Sequence, residues 1–322
     1  MTVTRRALLG TLAVSALPFS TRAEESWPSR MVRLISPYGP GGSNDISLRL
    51  LAEQFGRNLH QQFIVENKPG AGTRIANDMV AHAPGDGYTL LYVAAPYATA
   101  EALFGKLTYE RKDLQPVAMA VIAPLFLIIS ADAPFKTLPD LIAHGKSKPD
   151  GLTFASPGAG SQPHLADELL FRDAGVKGLN IPFRGDAASY TELLAGRVDA
   201  TLTALPTALP YIQNGKFIVL GVASPERSAL YPQAPTLREQ GFPNLAAAGW
   251  YGFMAPSTTP RAIVDKLQAE VLRALAEPAI KDKLTAQGLE VRPGTAAEFG
   301  RFIDNETQKW TKLIRDAGLK GG

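Results

Sequence analysis

One local pattern constrains this chain more than any other: an apolar extended run, a glycine-rich turn and an amphipathic helix, in that order, recurring along the sequence. Residues 30–36 read as a strand and 37–43 as the turn, and Ile46, Leu50, Leu51, Phe55 and Leu59 form the apolar stripe of a helix. The second unit has a strand over 63–66, a turn over 68–72 and a helix over 73–83 on which Ile75, Met79 and Val80 are expected to face inward. Gly85-Asp86-Gly87 then turns the chain into a strand over 88–94. A later group repeats the pattern. A strand over 152–155 and a turn over 156–161 lead to a helix with Pro163 in its first turn and Leu165, Leu169 and Leu170 on one face. A strand over 180–183, a turn through Arg184, Gly185 and Asp186, a helix to Leu194, the cap-like Gly196 and a strand over 198–202 follow. Strands alternating with helices predict parallel sheets, and two groups of such units predict two of them.

The stretches 115–130 and 246–260 are long enough in β-forming residues to cross between the groups, and helices over 260–277 and 295–317 finish the chain. This predicts a discontinuous first lobe, 24–122 plus 249–322, and a second lobe, 123–248, with a two-strand hinge that allows closure. Roughly 300 residues suit two domains. Residues 1–23 read as an export signal: Arg5 and Arg6, an apolar run over 7–17, Pro18, and a small residue at Ala23. The twin arginines fit a twin-arginine export route, and the general secretory route fits equally. The run is shorter than the roughly 20 apolar residues that span a bilayer.

The chain has no cysteine, so an exported protein of this kind relies on its core and not on disulfides. Of 33 Lys+Arg against 30 Asp+Glu, three arginines (Arg5, Arg6 and Arg22) lie in the signal, which leaves the mature part balanced. A neutral chain without a basic run argues against nucleic acid as a partner.

Open α/β sheets bind ligands beyond the C-terminal strand ends, where helix N-termini expose unpaired amides and a partial positive charge. The turns here therefore suit an anion, though each alone also reads as an ordinary tight turn. Nucleotide fingerprints fail: Gly70-Ala71-Gly72 runs on to Ile75 and Gly158-Ala159-Gly160 to Pro163 where glycine is required, and no turn ends in Gly-Lys-Ser/Thr. Ser161 near His164 is the best nucleophile candidate, but Ser161 sits where a residue caps a helix and no G-x-S-x-G elbow occurs. His60, His82, His144 and His164 lack metal-ligand spacing. Trp250 and Tyr251 could line a cleft or belong to the core. Asp45 in a first helical turn reads as a dipole partner, or as a group meeting a ligand's ammonium.

Pro40-Gly41-Gly42-Ser43-Asn44-Asp45, Val65-Glu66-Asn67-Lys68-Pro69-Gly70-Ala71-Gly72, Pro84-Gly85-Asp86-Gly87-Tyr88-Thr89-Leu90-Leu91, the 156–164 stretch and Pro182-Phe183-Arg184-Gly185 follow one another in order. With Asp199, Leu205-Pro206, Ala234-Pro235-Thr236 and Trp250-Tyr251-Gly252, they make the chain resemble the periplasmic solute-binding proteins of the tripartite tricarboxylate transporter family, often called Bug proteins. The resemblance implies an α/β fold of two Rossmann-like lobes around a central cleft, of the type II periplasmic binding-protein kind. It also implies capture of a small carboxylate by loop backbone and ordered water. Carried over by position, the ligand-binding residues are Tyr38, Gly41, Gly42, Ser43, Asn44 and Asp45 in the first lobe. In the second they are Ser156, Gly158, Gly160, Ser161, His164, Phe183, Arg184, Gly185 and Asp186, with Ala95, Tyr97 and Leu205 completing the wall.

Three departures bear on ligand choice. The family usually has Tyr-Lys-Gly in place of Phe183-Arg184-Gly185 and a small residue in place of Asp186, and often Asn-Pro near Thr99-Ala100-Glu101. Asp186 beside the cleft would repel a second ligand carboxylate or attract an amino group. The expectation is a monomeric periplasmic receptor with no catalytic step, cofactor or metal. It would bind a di- or tricarboxylate, an aromatic acid or an amino acid and pass it to a membrane permease. An exported serine hydrolase and a sensor docking on a signalling protein are the competing readings.

Overall fold

The computed structural model describes residues 27–156, 161–183, 186–245 and 247–320. The export-signal reading and the predicted site residues Gly158, Gly160, Arg184 and Gly185 lie outside them. In chain order the elements begin with β1 (Val32–Ser36), α1 (Ser43–Leu59), β2 (Phe63–Asn67), α2 (Arg74–Ala81), β3 (Thr89–Ala94), α3 (Ala100–Phe104) and β4 (Leu114–Ser130). Next come α4 (Leu138–Ser147), β5 (Leu152–Ser156), α5 (Gln162–Ala174), β6 (Gly178–Pro182), α6 (Asp186–Leu194), β7 (Ala200–Ala204), α7 (Leu205–Gln213) and β8 (Phe217–Val222). The chain ends with β9 (Ala248–Pro256), α8 (Arg261–Ala276), α9 (Pro278–Ala286), β10 (Glu290–Thr295) and α10 (Ala296–Asp316).

The two expected sheets are present but mixed, and they share a strand. β2, β1 and β3 are parallel, then β9, β4 and β10 add antiparallel. On the other side β6, β5 and β7 are parallel, and β4 and β8 add antiparallel. The first half of β4, up to Pro124, pairs with β9, and from Leu125 onward it pairs with β7. One continuous, almost wholly buried strand thus belongs to both lobes. Its run from Val117 to Ile129 is the apolar stretch of the sequence, which reads as a strand buried on both faces. No helix among the described residues is long and apolar enough to cross a membrane.

Each lobe has its own core. Val32, Leu34, Leu48, Leu51, Phe55, Tyr92 and Phe253 pack in the first, and Leu127, Ile129, Phe154, Leu165 and Leu202 in the second. Burying each such side chain stabilises the fold by roughly 1.5–3 kcal/mol. α10 opens with a reciprocal cap: Thr295 Oγ1 accepts from Glu298 N–H at 3.3 Å and the Glu298 carboxylate accepts from Thr295 N–H at 2.8 Å. It then packs Phe299 and Ile303 on the first lobe and Trp310, Leu313 and Ile314 on the second.

Some expectations are corrected. Ile75 is 51 % exposed, while Ala76, Asn77 and Val80 form the buried face of α2, because the helix starts at Arg74 after a kinked turn that resets its phase. The strand expected over 198–202 lies at Ala200–Ala204. α9 and β10 have weak local patterns and were not expected; β10 is held by pairing with β4.

Candidate functional site

A cavity of about 530 Å³ lies where the two lobes meet. Its walls are the segments that follow the C-terminal ends of the parallel strands: Tyr38 and Gly42–Asn44 after β1, Ala71–Arg74 after β2, and Ala95, Pro96 and Thr99 after β3. The second lobe supplies Ser161, Gln162 and Pro163 after β5, Asp186 after β6, and Thr203 and Ala204 at the end of β7. Ala123 and Leu125 of β4 and Gly249 and Tyr251 of β9 form the floor, at the point where β4 passes from one sheet to the other.

The first wall is built around the start of α1. Gly41 has φ +87°, a backbone conformation that glycine adopts without cost, and it lets the chain turn sharply into the helix. Asp45 ties this turn down. Its carboxylate accepts from Gly41 N–H at 3.0 Å, Asn67 Nδ2 at 2.8 Å and Arg49 Nε at 3.0 Å, and its side chain is 4 % exposed. Burial pushes its acidity down, but the Arg49, Gly41 and Asn67 hydrogen bonds outweigh this and hold its pKa below the usual aspartate value. Both Asp45 oxygens have partners within the protein, so the residue shapes the wall from behind it.

Asn44 is 1 % exposed. Its Oδ1 accepts from Ser36 Oγ at 2.8 Å, and its Nδ2 has no partner among the described residues. No side chain caps α1, so this wall offers unpaired donors next to the positive end of a helix dipole. The neighbouring turn is strained: Ala71, Gly72 and Thr73 have φ of +49°, +59° and +74°. A β-branched residue at such an angle costs about 1–3 kcal/mol, and strain of this kind clusters at ligand sites. Arg74 follows, its guanidinium carbon 3.7 Å from the Phe104 ring centre and its Nε donating to Ala71 O at 2.7 Å.

On the second wall Ser161 caps α5, accepting from His164 N–H at 3.4 Å, and His164 lies beside Glu168 at 3.6 Å. Gln162 is 5 % exposed; its Nε2 donates to Ala248 O at 3.3 Å and its Oε1 has no partner among the described residues. Asp186 opens α6 and accepts from Thr207 Oγ1 at 3.0 Å; Tyr190 OH lies 2.8 Å from both Thr203 Oγ1 and Thr207 Oγ1. Burial pushes the Asp186 carboxyl up, and the bonds from Thr207 and Thr203 only partly offset this. Burial, with Tyr38, Tyr92 and Asp186 as lesser causes, likewise keeps the Tyr251 phenol protonated. Among the described residues no group of three or more His, Cys, Asp or Glu is placed to hold a metal.

Of the site residues expected from sequence, Tyr38, Gly42, Ser43, Asn44, Ala95, Ser161 and Asp186 line the cavity together. Gly41, Asp45, Tyr97, Ser156, His164, Phe183 and Leu205 do not. Tyr97 is buried and donates to Arg111 O at 3.2 Å, and Leu205 is buried in the second-lobe core. Trp250 packs edge-on against Phe299 and Phe302, whereas its neighbour Tyr251 faces the cavity; alternation along β9 separates the two. Thr73, Arg74, Phe104 and Thr203 line the cavity without having been expected, and Gln162 does so from within the expected 156–164 loop. The glycine turn at 70–72 was the available signal for the first two.

Behind the second wall Ser156 Oγ donates to Asn180 Oδ1 at 2.6 Å, and Asn180 Nδ2 donates to Asp167 Oδ2 at 2.7 Å. Asp167 is fully buried, its other oxygen has no partner among the described residues, and burial pushes its carboxyl well up. Asp167→Asn should therefore raise stability at neutral pH by about 1–3 kcal/mol. Burial favours the protonated acid, so the wild-type penalty grows as the pH climbs from the ordinary aspartate range toward the raised value. The gain should vanish in acid. Urea denaturation of both proteins across pH measures it.

Two lobes sharing a continuous strand, with a donor-lined cavity at the facing strand ends, define a two-lobed binding protein. The family model described as tripartite tricarboxylate transporter family receptor matches residues 47–319, and the chain belongs to that family. BugT of Bordetella pertussis is 33 % identical over 317 residues, 98 % of this chain and 97 % of that protein. An R. palustris protein solved with adipate is 30 % identical with a TM-score of 0.85, covering 92 % of this chain and 100 % of that one. MatC from Rhodopseudomonas palustris, solved with bound malate, is 32 % identical with a TM-score of 0.80, covering 89 % and 99 %.

Proposed function

We propose that this chain is an extracytoplasmic solute receptor that takes a small carboxylate into the cavity between its lobes. It then delivers the acid to the membrane permease of a tripartite tricarboxylate-type transporter. The observation that carries this reading is the buried amide of Asn44, a cavity-lining residue beside the uncapped start of α1 whose Nδ2 has no partner among the described residues. An unmet donor there costs free energy that a ligand carboxylate would recover. Relatives about a third identical hold adipate and malate, which supports the same ligand chemistry here. The export-signal reading of residues 1–23 supports a periplasmic location, and an acid held inside one chain needs neither a cofactor nor a second copy.

Closure follows as a population shift, because a ligand touching both walls binds the shut state more tightly than the open one. Ser161 Oγ is engaged as the cap of α5, which supports binding without a chemical step over hydrolysis. The test is a thermal shift of the purified chain from residue 24 with mono-, di- and tricarboxylates and amino acids. A true ligand at a hundredfold excess over its Kd should add about 2.7 kcal/mol of stability. Asn44→Ala should lose most of that increment. If no acid moves the melting curve, the reading is wrong.

A further inference from the structure

Among the described residues, the charged groups and unpartnered amide atoms of the cavity-lining residues are sorted by lobe. The first wall holds donors: the start of α1 at Gly42, Ser43 and Asn44, the Asn44 amide, whose Nδ2 has no partner among the described residues, and the Arg74 guanidinium, which has no carboxylate partner among them. The second wall holds acceptors: Gln162, whose Oε1 has no partner among the described residues, and the Asp186 carboxylate, which has no cationic partner among them. At the start of helix α5 Pro163 has no N–H and the His164 N–H is held by Ser161 Oγ, so fewer amides remain to donate there than at the start of α1. Arg74 and Asp186 are the only charged side chains among the described residues that line the cavity, and they sit on opposite walls. Leu103, Phe104, Leu125 and Tyr251 add apolar surface around them.

We propose that the ligand is a zwitterion, an α-amino acid with an apolar side chain. Its carboxylate meets the α1 start and Arg74, and its ammonium is taken by Asp186 and Gln162. This rests on the receptor reading and narrows its substrate class. A dicarboxylate would set its second anion near Asp186 in a partly desolvated site, where like charges repel strongly. An ammonium instead forms charge-assisted hydrogen bonds to both acceptors. The thin hydration of Asp186, which by itself favours the neutral acid, is offset once a cation arrives. Thr207 fixes one carboxylate oxygen, so the group is oriented before the ligand enters.

The experiment is calorimetric titration of the purified chain with each standard amino acid and its des-amino counterpart, such as leucine and 4-methylpentanoate or phenylalanine and 3-phenylpropanoate. Succinate, adipate and citrate complete the panel. At least one apolar amino acid should bind about ten- to a hundredfold more tightly than its des-amino partner. Asp186→Asn should remove that preference, and Arg74→Gln should weaken both members of the pair alike. Should Asp186→Asn not fold, the wild-type pairs alone decide. Des-amino acids or dicarboxylates binding as tightly as amino acids, or a preference unchanged in folded Asp186→Asn, would overturn the zwitterion while leaving the carboxylate receptor intact. Silence from every compound overturns both.

Discussion

Asp45→Ala should cost about 3 kcal/mol of folding stability and reduce ligand affinity at least tenfold, although Asp45 does not line the cavity. The carboxylate is the common acceptor for Gly41 N–H, Asn67 Nδ2 and Arg49. Truncation leaves the Gly41 N–H without its acceptor and removes one of the two acceptors of Asn67 Nδ2, the other being Tyr38 O at 2.9 Å, while half-exposed Arg49 can turn to water. The sharp turn at Gly41 then loses its anchor, and with it the placement of Gly42, Ser43 and Asn44. Urea denaturation and calorimetry on the same samples separate the two losses. The effect also has a pH signature. The folded-state pKa is lowered, so the contribution is present above the ordinary aspartate value and lost as the pH falls through the lowered one. Wild type and variant should converge in acid; a constant gap would show that the stabilisation is not electrostatic.

Gly252→Ala should destabilise by about 3 kcal/mol for a different reason. Gly252 pairs with Val93 on one side and Met119 on the other, in the middle of the first sheet. A Cβ there would lie 2.5 Å from Phe299 Cζ and 2.7 Å from the Ala118 carbonyl oxygen. Phe299 is wedged against Trp250 at 5.6 Å between ring centres and cannot swing clear, and the carbonyl belongs to the paired strand. Overpacking thus meets a rigid partner on each side. Gly39→Ala is the control, since a Cβ at that position meets nothing within 4 Å. Equal midpoints for the two variants in urea would refute the packing argument.

Strand, turn and helix were legible wherever all three signals occur in sequence. α1, α5 and α10 begin within a residue or two of where the caps and apolar stripes put them. The lining of the cavity was partly legible for the same reason: a residue just past a strand and at the start of a helix must lie at the C-terminal sheet edge. Arg74 and Gln162 fit that rule, and the turns at 70–72 and 156–161 that precede them were their signal. Asp45, Tyr97 and Leu205 follow the rule and still face away from the cavity. Which side of a helix start faces a cavity depends on where the second lobe sits, and no local pattern encodes that.

The sequence by itself determined the grammar of the fold, the order of the elements and the anion-suited turns, because backbone preference and apolar periodicity are local properties. Only the tertiary structure decided which strands β4 pairs with in each sheet and that α10 braces both lobes. Nor was it local that Asp45 serves as an anchor while Asp186, another acid at a helix start, faces the ligand space. The physical reason is one of partners: a carboxylate's role is set by which donors reach it. Asn67 and Thr207, the groups that fix these two acids, lie 22 and 21 residues away along the chain.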